Sequence, residues 1–143
     1  MKFKLIIDKE REEELIVYSH NKDKFTDEIE ALCKSRSCDL VGYKEKEAVI
    51  LDLLEVNCFT VEDNKVFAIT DKERLQIKQR IYMLEEQLPS FFIKINQSCI
   101  ANIKRIARFD ASIGGNLTVR FKNGYTDYVS RRNIKTVKER MGL

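Results

Sequence analysis

The chain has 143 residues, 43% of them hydrophobic and 34% charged, with a formal charge of +3. That length and balance describe one folded, soluble domain with room for a small extension, and exclude a disordered chain or a string of domains. The apolar run near the start, FKLII, is too short for a signal-peptide core or a membrane span, so a cytoplasmic protein is expected.

In chain order, the first segment reads as strand, strand, helix. KFKLII and ELIVYS are β-rich runs separated by the acidic DKEREEE, and Phe25, Ile29, Leu32 and Cys33 then recur at helical spacing. Three such elements bury little by themselves, so residues 1–38 are expected to pack on the rest of the chain or on a second copy. From Asp39 the chain becomes a succession of short strands: DLVGY, EAVILDL, then EVNCFTVE and KVFAIT joined at Asp63 and Asn64, both favoured in tight turns. A helix is predicted over Ile77–Leu88, where Ile77, Ile81, Leu84 and Leu88 form a stripe that Pro89 ends. FFIKI, SCIAN and RIARFDA follow as strands, and Gly114-Gly115 marks a turn.

NLTVRFKNGYTDYVS reads as a hairpin about a two-residue Asn123-Gly124 turn. That register sets Arg120 opposite Asp127 as an ion pair and puts Val119, Phe121 and Tyr128 on one face. The chain closes with VSRRNIKTVKERM, a helix expected to start at Arg131 with Ser130 as its N-cap and Ile134, Val137 and Met141 on its apolar side. Its start is electrostatically odd, because the helix dipole disfavours Arg131 and Arg132 there by a few tenths of a kcal/mol up to about 1 kcal/mol each. An anion arriving at that end would relieve the conflict.

Charge distribution points the same way. Residues 1–71 carry 11 Lys and Arg against 17 Asp and Glu, whereas residues 72–143 carry 15 against 6, so the second half is expected to face a polyanion. Enzyme signatures are missing: there is no G-x-S-x-G, no phosphate-binding glycine loop and no H-E-x-x-H, and His20 is the single histidine. The chain is therefore read as non-enzymatic, with no cofactor and no small-molecule substrate. The cysteines Cys33, Cys38, Cys58 and Cys99 form no C-x-x-C pair, so no metal is expected and free thiols are the default. What remains are polar tips beside basic residues. Asn and Gln pair with adenine, Arg with guanine, while Lys and Ser reach phosphates.

FFIKINQSCIANIKRI, then a hairpin with FKNG and then YVSRRNIKTVKERMG, resembles the LytTR family of bacterial DNA-binding domains. Phe92, Ile95, Ser98, Ile100, Asn102, Gly124, Ser130 and Arg132 occupy the family's motif positions, and the likeness spans roughly residues 42–143. The resemblance implies a mainly β, α+β fold: an elongated LytTR-type antiparallel β fold with flanking helices, here preceded by a small β-β-α segment. Residues 1–38 would then be a dimerisation or regulatory segment and residues 39–143 the DNA-binding domain.

It also implies a transcriptional regulator that binds double-stranded DNA at direct-repeat promoter sites as a homodimer, through loops and the start of the last helix. By position, Asn64, Gln97 and Arg132 are the base-reading candidates, and Lys65, Asn96, Ser98, Arg131, Asn133 and Lys135 the neighbouring phosphate or accessory candidates. Family members often carry a basic or histidine residue at the places of Asn64 and Asn96, and arginine at that of Gln97, so their base preference does not transfer. Residues 1–38 are too short for a receiver domain, which implies control by abundance or by another protein, a membrane protein among the candidates. The alternative from a different class is a protein-interaction or dimerisation module whose basic face is a docking surface.

Overall fold

In the computed structural model, which describes residues 1–37, 39–111 and 115–143, two antiparallel sheets face each other across part of the chain. The larger runs in the order β2-β1-β5-β4-β3-β7-β6, and the smaller in the order β10-β9-β8. Their strands are β1 (Val41–Lys44), β2 (Glu47–Ile50), β3 (Val56–Glu62), β4 (Lys65–Thr70), β5 (Arg74–Ile77), β6 (Phe92–Asn96), β7 (Cys99–Asn102), β8 (Ile106–Ala111), β9 (Leu117–Phe121) and β10 (Thr126–Val129). Among the described residues three α-helices accompany them: α1 (Lys24–Ser37), α2 (Ile81–Gln87) and α3 (Arg131–Met141). This is the mainly β, α+β architecture expected from the sequence.

The large sheet buries both faces, which is why its central strands are apolar nearly throughout rather than alternating. On β3, Phe59 enters one core with Leu75, Leu84 and Ile100, while Cys58 enters a second with Ile95, Cys99 and Ala101. The second core is closed by Leu117, Val119 and Phe121 of the small sheet and by Val137 of α3. Buried polar groups stitch the layers together. Asn102, fully buried, donates to the Val56 carbonyl at 2.9 Å and accepts from the Lys104 amide at 3.0 Å. Asn57, also fully buried, donates to Asp71 Oδ1 at 2.9 Å and accepts from Arg105 Nε at 3.3 Å, and Arg105 in turn pairs with Asp71. Each buried amide thus has partners, as burial demands.

Four expectations change. KFKLII and ELIVYS are not strands, and residues 1–23 contain none. Phe3 is 87% exposed, Ile7 83% and Tyr18 93%; a strand needs a neighbour to take its backbone hydrogen bonds, and within one chain these runs have none. Of the anticipated small β-β-α segment, the helix alone is present. It forms because its start is locally encoded: Asp23 Oδ1 accepts from the Thr26 amide and Thr26 Oγ1 accepts from the Asp23 amide, each at 2.9 Å, a reciprocal cap. Its core contact is Ala31 rather than the predicted stripe, since Phe25 and Leu32 stay exposed.

The helix predicted over Ile77–Leu88 begins later, at Ile81, because Ile77 is the last residue of β5. RLQI was missed as a strand: Leu75 and Ile77 alternate inward while pairing with β4, a period too short to stand out beside the helical stripe. The hairpin register is slipped by one residue. Arg120 opposes Thr126 and Val119 opposes Asp127, because the loop has three residues: the Phe121 amide donates to the Tyr125 carbonyl at 2.8 Å, and the Gly124 amide to the Phe121 carbonyl at 2.9 Å. Gly124 alone takes the left-handed conformation, at φ +89°, the usual mark of a bulged three-residue turn. Tyr128 therefore points to solvent, and the Arg120–Asp127 pair does not form. Cys38 and Gly114 lie outside the described residues, so the expectations placed on them go no further.

Candidate nucleic-acid interface

Three polar tips meet at one end of the large sheet. The first is the β3–β4 turn, where Asp63 and Asn64 have φ of 50° and 63°, the pair of left-handed residues that a two-residue hairpin requires and that short polar side chains tolerate. Asn64 and Lys65 are exposed there. The second is the β6–β7 turn, in which Asn96 pairs with Cys99 and leaves Gln97 and Ser98 exposed between them. The third is the start of α3.

Backbone bonds fix their order. The Val61 amide donates to the Ser98 carbonyl at 2.9 Å, tying the second tip to the strand that leads into the first. The Ser130 amide donates to the Ile95 carbonyl at 2.8 Å, tying the start of α3 to the strand that leads into the second. With β4, β3, β7 and β6 side by side, the outer tips stand roughly 14 Å apart, three strand spacings.

Asn96 is the bolt between the second and third tips. It is 1% exposed, donates to Asp127 Oδ1 at 2.9 Å and to the Tyr128 carbonyl at 2.7 Å, and accepts from the Ser98 amide at 2.8 Å. Its amide is thus occupied within the protein, unlike the exposed amides of Asn64 and Gln97. Sequence reading grouped all three as polar tip residues. Nothing local distinguishes an amide that will be covered by β10, some 30 residues further on, from one that will not.

At the third tip, Arg131, Arg132 and Lys135 are exposed, and among the described residues none makes a hydrogen bond or ion pair. The first turn of α3 contains no acid. Ser130 occupies the N-cap position but does not cap with its side chain; its Oγ accepts from Asn133 Nδ2 at 2.8 Å, so Asn133 is held against the helix start. The Arg131 and Arg132 backbone N–H groups accordingly remain without a protein acceptor among the described residues, while the Asn133 amide donates to the Ser130 carbonyl at 2.9 Å, and the dipole of an 11-residue helix adds positive potential to the two arginines. Val137, Ile134 and Met141 hold the helix on the second core as expected, and Gly142, at φ +71°, ends it.

Several other cations of the basic half are already engaged. Arg74 pairs with Glu62 and lies over the Phe67 ring, Lys94 pairs with Glu85, Lys104 lies over Phe91, and Arg105 pairs with Asp71. The Arg105 guanidinium beside Asp71, with the Asn57 amide, holds that carboxyl below its ordinary range. Cys58 and Cys99 are free, buried thiols, and the hydrogen bond with Cys58, together with burial, pushes the Cys99 thiol well up, which makes it a packing residue rather than a nucleophile. Among the described residues no group of three or more His, Cys, Asp or Glu is placed to hold a metal ion, and no helix is long and apolar enough to cross a membrane.

Comparison with known proteins adds four findings. The LytTr DNA-binding domain family model matches residues 46–142. A protein of Staphylococcus aureus strain MSSA476, named an uncharacterized HTH-type transcriptional regulator, is 33% identical over 149 residues, covering 100% of this chain and 99% of its own length. A counterpart of the same description from strain NCTC 8325 is 37% identical over 108 residues, 76% of this chain and 74% of its own. A solved LytTr DNA-binding domain from Bacillus cereus superposes with a TM-score of 0.69 over 73% of this chain and 97% of its own, at 17% identity, a likeness of fold.

Proposed function

This chain belongs to the LytTR DNA-binding domain family, and from that premise we propose that it is a cytoplasmic transcriptional regulator whose three polar tips contact one duplex. The observation that carries the reading is the convergence of exposed Asn64, Gln97 and Arg132 at one sheet end, where Arg131, Arg132 and Lys135 await an anion. In this reading Asn64, Gln97 and Arg132 touch base edges, while Lys65, Ser98, Arg131, Asn133 and Lys135 meet phosphates or support those that do. Asn96 acts through position, holding Gln97 and Ser98 against the start of α3. Among the described residues the helix-turn-helix of the relatives' names has no counterpart, since β1 to β5 separate α1 from α2 and β6 to β10 separate α2 from α3.

Residues 1–38 are assigned to pairing with a second copy, so that two readers address a direct repeat. Two β-rich runs expose their side chains, and a second copy presents runs of the same length and pattern. The lysines of the first run, Lys2 and Lys4, complement Glu12, Glu13 and Glu14 ahead of the second.

Mobility shifts of a mixed-sequence duplex across a salt series test the reading. Binding should weaken steeply as salt rises, because cations meeting phosphates release condensed counterions. Absence of binding at low salt would favour the protein-interaction module instead.

A further inference from the structure

The small sheet turns one face into the second core and the other to solvent. On the solvent face Arg108 of β8 stands directly opposite Arg120 of β9, and Arg120 directly opposite Thr126 of β10. All three side chains are exposed. Directly opposed residues on neighbouring antiparallel strands bring their Cβ atoms to about 5 Å, and like charges so placed repel. Among the described residues neither arginine forms a hydrogen bond or an ion pair, although Arg74, Arg105 and Lys94 elsewhere on the molecule each found a carboxylate. The slipped register explains the vacancy of partners: Asp127, the acid that a two-residue turn would set against Arg120, faces Asn96 instead.

We propose that Arg108, Arg120 and Thr126 form a second phosphate-binding surface, one that reads no bases and grips the backbone of duplex flanking the recognised site. The inference rests on the DNA-binding reading and extends it to a face remote from the three tips. Two guanidinium groups and a hydroxyl in one row match the oxygens of a phosphodiester, and a bound phosphate turns their mutual repulsion into shared attraction. Location selects DNA as the ligand, because β10 runs from Thr126 to Val129 and passes directly into Ser130 and α3. The four residue steps from Thr126 to Ser130 span roughly 13 Å at the rise of a strand, about four steps of one nucleic-acid strand. A duplex anchored at Arg131 and Arg132 and running along β10 therefore carries phosphates over the arginine row.

The test compares the full chain with the Arg108→Thr/Arg120→Thr variant on a duplex of about 40 base pairs, across a salt series. Both positions are exposed, and thermal melting checks that the variant is folded. The variant should bind about tenfold more weakly at low salt, with the slope of log affinity against log salt reduced by about 2, while its base preference in a randomised duplex pool stays that of the unaltered chain. Arg108→Lys/Arg120→Lys, which keeps both charges, should retain the slope. Equal affinity and slope, or a changed base preference, would overturn the proposal. If the unaltered chain does not bind the duplex, the DNA-binding reading has failed and this surface with it, an outcome distinct from a variant that matches a binding wild type.

Discussion

Two stretches of similar character meet opposite fates in this chain. EVNCFTVE, as β3, has β4 on one side and β7 on the other, with Cys58 and Phe59 fully buried on its two faces. KFKLII is as rich in β-forming residues, yet Phe3 is 87% exposed and Leu5 70%. Composition is not the difference; neighbours are. A strand is completed by hydrogen bonds and side-chain contacts from other strands, so the same local code yields a sheet centre in one region and an unpaired apolar segment in the other. α1 sharpens the lesson, for it lies in the second region and still forms, because a helix closes its own hydrogen bonds and its reciprocal Asp23–Thr26 cap is three residues across.

Removing the unpaired region should separate the two most strongly. A chain beginning at Asp39 keeps both cores apart from Ala31, so it should remain folded and bind a single half-site. If residues 1–38 pair two copies, the truncated chain should be monomeric and should lose on the order of 100-fold or more in affinity for a double site, since the second contact ceases to be intramolecular. Light scattering with titration of single and double sites checks this; a truncated chain that stays dimeric, or keeps its double-site affinity, removes the assembly role from that region.

Within the well-packed region, Asn96→Ala should have the next largest effect. It deletes three hydrogen bonds at a buried junction and strands the Tyr128 carbonyl and the Ser98 amide, a loss of about 2–4 kcal/mol in urea unfolding. Asn64→Ala, at an exposed amide, should cost well under that. Equal losses at the two asparagines would contradict the positioning role.

Arg132→Ala should leave stability nearly unchanged but cost about 1–3 kcal/mol of binding on a preferred site and relax the choice at one base pair, whereas Lys135→Ala should weaken all sequences alike. Competition binding with a randomised duplex pool reads both. An Arg132→Ala protein with unaltered preference would remove that side chain from base reading.

The smallest effect concerns Asp71, whose carboxyl is held below its ordinary range chiefly by the Arg105 guanidinium. A depressed folded value means that the pair stabilises the protein above the unfolded carboxylate range near 4 and loses that contribution as pH falls through the folded value. The side chain of Asp71 is 52% exposed, so the contribution should not exceed about 1 kcal/mol. Wild type should therefore melt slightly above Asp71→Asn at pH 7, and the gap should close below about pH 4. A gap that persists at acid pH would assign the effect to the Asn57 hydrogen bond instead.

How far the sequence alone reaches is visible at particular residues. Signals that act over a few positions were legible: the tight turn at Asp63 and Asn64, the apolar side of α3 with Val137 at its centre, and the motif from Phe92 to Asn102 that identifies the family. These depend on φ preferences and on side chains one helical turn or two strand positions apart, which the chain specifies wherever it folds. Only tertiary structure decided that Asn96 is covered while Gln97 is not, because the cover comes from Asp127 and Tyr128. It likewise decided that Ile77 completes β5 rather than opening α2, since β4 and β1 pair with it. Arg120 shows the reason most directly: one extra residue in a turn moves every partner across β9 and β10 by one, taking this arginine from Asp127 to Thr126. Register is set by contacts between strands, and a linear sequence records the strands without recording which residues will face each other.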